Sequence, residues 1–266
     1  MKKPKRSVAQ LVRDRLNKTG LYDTPEYWDT KATAYEGLAR SAWPSNTYNT
    51  LLHAEQRDVL LRLAGNIAGK RVADVGCGTG RMAQEFARRG AHVTGFDFSP
   101  QSIAVAQAEA AEQGLHCDFG VANIFEEPKP EDVATFDVVL SLGCLTIACS
   151  SRERFDDALR HVVALARPGG RVVFLEPVHQ GRLLGRILRM SVSEWIRAAE
   201  GLGLALQSRG GVHFVPARYA LAFVEAPMSL TRPVFDLGEW LLARSPRLEF
   251  LADYKYLAFD VPVLEP

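Results

Sequence analysis

Residues 72–80 read V-A-D-V-G-C-G-T-G, an apolar run closed by glycines at positions 76, 78 and 80. The β-branched start predicts a buried parallel strand. Glycine at alternate positions predicts a loop whose backbone comes closer to its surroundings than a side chain would allow. Together they specify a ligand loop of the nucleotide-binding type. Its subtype is narrowed by what is missing. The dinucleotide fingerprint G-x-G-x-x-G/A needs a small third residue, and counting from Gly76 that place falls on Arg81. No G-K-[ST] follows, which excludes a P-loop.

The residues after the loop extend the pattern. Positions 81–89 have helical spacing through Met82, Ala83, Phe86 and Ala87, and Gly90 is placed to end that helix. Residues 92–97, H-V-T-G-F-D, read as a second strand whose last residue, Asp97, lies about 20 positions beyond Gly76. In nucleotide-binding βαβ units an acid at that distance accepts hydrogen bonds from ribose hydroxyls. Asp97 is therefore the expected ribose residue. Ser99 as N-cap and Pro100 at the first helical position start the next helix.

This arrangement resembles the class I S-adenosylmethionine (SAM) dependent methyltransferases, whose first motif is an apolar strand, an acid and G-x-G-x-G. Asp74 stands in the place of the acid. Residues 136–142, F-D-V-V-L-S-L, are similar to the family's fourth strand, and Arg167-Pro168-Gly169-Gly170 to the turn that leads into its fifth. The resemblance implies an α/β fold, a Rossmann-like, doubly wound, seven-stranded sheet, with SAM as cofactor. It implies cofactor contacts from Asp74, Gly76, Cys77, Gly78, Gly80, Asp97 and Phe98, with Asn123 and Ile124 near adenine. Leu142, with Ser141, Gly143 and Cys144, would face the methionine part. Methyltransferases of the ubiquinone and menaquinone biosynthesis group carry a Tyr-Trp-Asp…Tyr segment over the pocket, so Trp28 and Tyr35 are the implied substrate residues.

Order of elements gives a helical N-terminal cap at 1–64 and a SAM-binding domain at 65–266, with a substrate-side insertion at about 209–253. A sixth strand is expected at 204–207 and a last one at 256–261. Ser150 with Glu153, and Ser191 with Glu194, have the spacing of capping boxes. Long segments inside a compact domain are usually functional, so acceptor specificity is expected in the insertion and the cap.

Methyl transfer uses a donor that is already activated, and the protein chiefly orders the reactants. A hydroxyl or ammonium acceptor also needs a base within reach. His179, after the fifth strand, is the first candidate, His213 the second and Glu176 the third. Cys144 is read as a small core residue, because no activating base is apparent. O-methylation of a small molecule is the leading expectation, with N- and C-methylation open. The rivals are a nicotinamide oxidoreductase and a methyltransferase fold kept for binding alone.

Composition sets the remaining bounds. The chain has 266 residues, 47% hydrophobic and 24% charged, with a formal net charge of +1. A near-neutral surface gives no global field for a nucleic-acid backbone, and neither D/N-P-P-Y nor a Pro-Cys nucleophile motif occurs. The expected partner is a small molecule, with no nucleic acid. Four cysteines show neither C-x-x-C nor zinc spacing, so no metal is expected and a reduced, cytoplasmic setting is. No run of 18 or more apolar residues is present, so no membrane span is expected. The start M-K-K-P-K-R lacks the apolar run of a signal peptide after it and reads as a solvated tail. The sequence leaves the oligomeric state open.

Overall fold

The computed structural model describes residues 22, 24–34, 37–40, 43–181 and 187–263. Its centre is a seven-stranded sheet in the order β3-β2-β1-β4-β5-β7-β6. The strands are β1 (Arg71–Val75), β2 (His92–Asp97), β3 (Cys117–Val121), β4 (Phe136–Leu142), β5 (Ala166–Glu176), β6 (Ala205–Phe214) and β7 (Ala252–Asp260). Strands β1 to β5 pair in parallel, while β7 runs antiparallel to both neighbours. The order reverses beside β1, so the carboxyl ends of β1 and β4 flank the crevice where open α/β sheets bind ligands.

Helices cover both faces. On one side α2 (Asn46–Ala64) and α3 (Arg81–Ala87) pack Val59, Leu60, Leu63, Met82 and Phe86 onto Val72, Leu140 and Val173. On the other, α6 (Arg152–Ala164) and α7 (Val192–Gly201) bury Phe155, Leu159 and Trp195 against Val139, Phe174 and Phe259. Between β2 and β3, α4 (Pro100–Glu112) starts at Ser99, whose hydroxyl accepts from the Ser102 amide at 3.0 Å. Helix α7 has the expected capping box, with Ser191 and Glu194 satisfying each other's backbone amides. Helix α6 is capped one residue later than the Ser150–Glu153 spacing suggests. Ser151 is the N-cap and accepts from the Arg154 amide at 3.2 Å, with Glu153 left in the first turn.

The strand boundaries on the right of the sheet also differ from expectation. Strand β6 runs to Phe214 instead of stopping at 207, and β7 begins at Ala252 instead of 256. Once β7 lies antiparallel beside it, β6 is paired from Ala205 to Phe214 with a register shift between Leu206 and Ser208, a gain that single-strand pattern cannot register. Of the expected insertion at 209–253, positions 209–214 belong to β6 and 252–253 to β7. Between them lie α8 (Val215–Leu221), α9 (Met228–Arg244) and a 3₁₀ turn (Pro246–Leu251). This helical insert docks on the start of α2, where Tyr48, Leu51 and Leu52 meet Ala217, Leu221 and Phe235. Before α2, the short helix α1 (Pro25–Ala34) rests on α4. Among the described residues, no helix is long and apolar enough to cross a membrane.

Candidate active site

The glycine loop is held by the strand next to it. The amides of Gly76 and Cys77 both donate to the Phe96 carbonyl, at 2.8 and 3.0 Å. Gly76 and Gly80 have φ of +72° and +75°. A Cβ at 76 would lie 2.5 Å from Cys144 Sγ, and one at 80 would lie 2.8 Å from the Phe119 ring, so each is closed to a side chain by packing as well as by backbone. Asp74 is 2% exposed: its carboxylate accepts from the Ala83 amide at 3.0 Å and fastens the first turn of α3. Burial pushes its pKa up to about 7. Burial also raises the Cys77 and Cys144 thiols, the opposite of what a nucleophile requires.

Asp97 closes the loop from the end of β2. Its two oxygens accept from the Gly78 amide at 2.8 Å and the Ser99 amide at 2.9 Å. Burial raises its pKa, while these amides oppose the rise. Phe98, half-buried, forms the corner between them. Over that corner lies α1: Asp29 accepts from the Ser99 hydroxyl at 2.5 Å and from the Gln101 amide at 3.1 Å. Trp28 is turned into the cap itself, where its indole N–H donates to the Tyr22 carbonyl at 2.9 Å and its ring packs edge-on to Tyr27. Tyr35 lies outside the described residues.

The Asn123 amide oxygen accepts from the Phe125 amide at 3.1 Å, so its side chain is used within its own turn. The next carbonyl, of Ile124, is bonded to His161 Nδ1 at 2.9 Å. A pocket of about 160 Å³ lies under this turn, lined by Val75, Phe96, Ile124, Lys129, His161 and Leu165. It lies on the α6 side, and none of residues 76–80 lines it.

Beyond β4 the chain turns through Leu142 and Gly143 into α5 (Leu145–Ala148), and Glu176 holds that turn. One carboxylate oxygen accepts from Ser141 Oγ (3.1 Å), Cys144 N (2.8 Å) and Leu145 N (3.2 Å); the other accepts from Thr146 N (3.3 Å) and Oγ1 (3.0 Å). Glu176 is 1% exposed, and burial raises its pKa against these five bonds. It is a structural carboxylate with no side free for a substrate proton.

The two histidines differ. His179 bonds through Nε2 to the Asp253 carbonyl at 2.9 Å, and burial lowers its pKa. His213 is 1% exposed, and neither ring nitrogen has a hydrogen-bond partner among the described residues. Its φ is +63°, a costly conformation for a side chain of this size. The Glu239 carboxylate holds it there by accepting from the His213 and Phe214 amides, both at 3.1 Å. Burial pushes its pKa down to about 3. Its ring meets Tyr254 edge-on at 5.2 Å, and the Tyr254 hydroxyl lies 3.2 Å from where a Cβ would sit on Gly143. His213 is thus linked through one side chain to the turn at the end of β4.

Sequence reasoning passed over Arg81, His53, Tyr254, Arg218 and the supporting role of Glu176. Arg81 follows the loop directly and was readable only as a violation of a fingerprint. Its guanidinium meets His53 Nδ1 at 2.5 Å and Gln56 Oε1 at 3.0 Å, and burial lowers its pKa to about 10. Tyr254 and Arg218 come to the site through the β6–β7 pairing and carry no local motif.

Comparison with known proteins gives one answer. A family profile described as "Methyltransferase domain" matches residues 72–170. The ubiquinone biosynthesis O-methyltransferase of Aeromonas salmonicida is 29% identical over 213 residues, 70% of this chain and 86% of that protein. Those of Maricaulis maris and Escherichia coli O6:H1 are 30% identical over 215 residues (74% of this chain, 79% of that protein) and 33% over 172 (58% and 70%). Among solved structures, a geranyl diphosphate methyltransferase in complex with SAM superposes with a TM-score of 0.59 at 17% identity, covering 94% of each chain. A [4+2]-cyclase superposes at 0.57 with 21% identity, covering 84% of this chain and 86% of that one. Likenesses at that identity establish the fold, and the cyclase is a reminder that fold and reaction are separate matters. With the loop, the strand order and these relatives together, the chain belongs to the class I SAM-dependent methyltransferases, and SAM is its cofactor.

Proposed function

We propose that the chain transfers the methyl group of SAM to a hydroxyl oxygen of a small molecule, and that His213 takes the hydroxyl proton. The observation that carries this reading is a buried, neutral imidazole with both nitrogens unpartnered, one side chain away from the turn after β4. The curated relatives named as O-methyltransferases agree with it.

The residues present fit the cofactor. Asp97 keeps acceptor capacity for ribose hydroxyls beyond the backbone amides it already receives. Phe98 and Ile124 offer apolar walls for adenine, with Asn123 shaping the turn between them. Gly76, Cys77, Gly78 and Gly80 let the backbone approach the methionine part, which Leu142 and Gly143 bound from β4. Asp74 acts through α3 rather than by contact. Bound there, SAM supplies a methyl group already activated by a sulfonium.

The order of the histidine candidates is reversed in this reading. His179 is engaged with a backbone carbonyl, whereas His213 at neutral pH has a free lone pair to receive a proton as the acceptor oxygen gains its methyl group. Asp253 favours the imidazolium that forms, against burial and the Arg218 and Arg81 charges, so the proton is held weakly and passes on to solvent. The cap at 1–64 and the insert at about 209–253 would shape the acceptor side, with Trp28 and Tyr35 in the cap. The free thiols of Cys77, Cys117, Cys144 and Cys149 suit a cytoplasmic setting.

Isothermal titration with S-adenosylhomocysteine tests the cofactor half: micromolar affinity, about −8 kcal/mol, should be lost in Asp97→Ala. His213→Gln tests the other half. It should keep that affinity and lower kcat on a catechol acceptor by roughly 10²–10⁴-fold. Unchanged turnover in His213→Gln removes the base assignment.

A further inference from the structure

Strand β6 ends in a left-handed corner. His213 has φ of +63°, and Phe214 after it caps the start of α8. The corner brings the amides of both residues to face one side, and successive N–H groups set in this way form an anion-binding concavity. The chain fills it from its own insert. Glu239 accepts from the His213 amide with one oxygen and from the Phe214 amide with the other, both at 3.1 Å. Steric fit delivers the acid there. Gly238, beside it in α9, is buried on the corner, and a Cβ at that place would lie 2.8 Å from the Phe214 Cβ and 3.3 Å from that of Ala217. Helix α9 therefore crosses the corner at glycine contact, which holds the Glu239 carboxylate over the two amides.

The imidazole depends on this support. Neither of its nitrogens has a hydrogen-bond partner among the described residues, so the ring is placed by its backbone and by its packing on Tyr254. Both Glu239 oxygens are needed as acceptors. A protonated carboxyl turns one of them into a donor, which leaves one amide unmatched and removes the charge from the concavity. Burial raises the Glu239 pKa to about 7; the two amides oppose that rise, and Glu55 on α2 and Asp236 on α9 add to it. Tyr48 on α2 also feels its charge. Of the other charged groups on elements packed against α9, Arg218 on α8 is paired with Asp253, and Arg247 and Glu249 lie in the 3₁₀ turn. Among the described residues no cation bonds to Glu239.

We infer that Glu239 is the positioning residue of the His213 base: its ionised carboxylate holds the corner that sets the imidazole in place, so methyl transfer requires the anion and is lost when Glu239 takes up a proton. The inference rests on the His213 reading above and adds to it what keeps the base in position.

The test follows kcat on catechol with saturating SAM from about pH 8 to about pH 5.5, where the rate should fall about tenfold per pH unit below about 7. His213 cannot supply that limb, because it titrates at about 3. Asp74, which titrates near 7 at the cofactor loop, would show in S-adenosylhomocysteine affinity instead. Glu239→Gln should lower the plateau by at least about tenfold and abolish the limb, with that affinity unchanged. Glu55→Gln removes a like charge and should move the limb to lower pH at the same plateau, a shift that a merely structural Glu239 would not give. In ¹H–¹⁵N spectra the His213 and Phe214 amides should titrate together near pH 7 in the wild type and stay fixed in Glu239→Gln. A flat wild-type profile, amides that do not titrate, or a limb that survives in folded Glu239→Gln overturns the inference. If Glu239→Gln does not fold, the wild-type profile and its shift in Glu55→Gln decide; if catechol is not turned over, the two amides decide. Full turnover by His213→Gln defeats the base reading and this inference with it, whereas an inactive His213→Gln beside a flat wild-type profile defeats this inference alone.

Discussion

Glu176→Gln separates a carboxylate that holds the site from one that reacts in it. The substitution keeps size and shape but leaves only one oxygen to accept. That oxygen can take the place that serves Ser141, Cys144 and Leu145, which puts the new amide N–H₂ against the Thr146 amide. The Thr146 hydroxyl can rotate and accept, whereas its backbone N–H cannot. Hydrogen bonds to a charged acceptor contribute about 1.5–3 kcal/mol and neutral ones about half that, while a buried orphan N–H costs about 1–3 kcal/mol. Gln also removes the cost of burying a charge, which offsets part of the loss. The balance is a loss of about 3 kcal/mol, or a Tm lower by roughly 6–12 °C. Urea unfolding gives the stability, and titration with S-adenosylhomocysteine reports the turn, which should bind at least about tenfold more weakly when its anchor is lost. A Gln variant within about 1 kcal/mol of wild type with full affinity would show that the carboxylate does not organise the turn.

Three further outcomes follow from the geometry. Gly76→Ala should lose at least about 2 kcal/mol of stability from left-handed strain and overlap with Cys144; Cys144→Ala should rescue only part, because the Cys144 Cβ, at 2.7 Å, remains. Asp29→Ala should release α1 from the start of α4 and raise the off-rate of S-adenosylhomocysteine about tenfold in stopped flow; an unchanged rate would mean that the cap does not cover the ribose corner. His213 titrates at about 3 in the fold and near 6.5 when unfolded, so the unfolded chain gains a proton that the fold refuses as pH falls between those values. Its contribution to stability is therefore lost on acidification, by about 1.36 kcal/mol per pH unit. His213→Asn, which tolerates the left-handed backbone, should lose roughly 2–3 kcal/mol less than wild type between pH 7 and pH 4.5; parallel curves would contradict the burial of the ring.

The left half of the sheet was legible because its signals are local. The glycines, the acid at position 97 and the Ser99-Pro100 start are each readable within a few residues, and one βαβ unit brings them together, with the Gly78 amide on Asp97. The use of the other candidate residues was not legible, for three physical reasons. Asp74 and Asn123 match motif positions, yet their side chains are used by Ala83 and Phe125, a choice made by burial and turn geometry. Glu176 was readable as an acid near the site but not as the partner of five donors from another strand's turn. The roles of Tyr254, Arg218 and His213 depend on β7 lying between β5 and β6, a pairing across long sequence separation that no window of residues encodes.

That pairing also sets an order of assembly. Among the described residues strand β6 has no ladder partner except β7, and β7 bridges it to β5. Strands β1 to β5 can form their parallel ladder without either, whereas β6, the insert after it and every residue they bring to the acceptor side must await the arrival of 252–260. Contacts of long sequence separation close late. The topology therefore predicts that the cofactor half is built before the acceptor half, an order that φ-values in β1 and β4 higher than those in β6 would report.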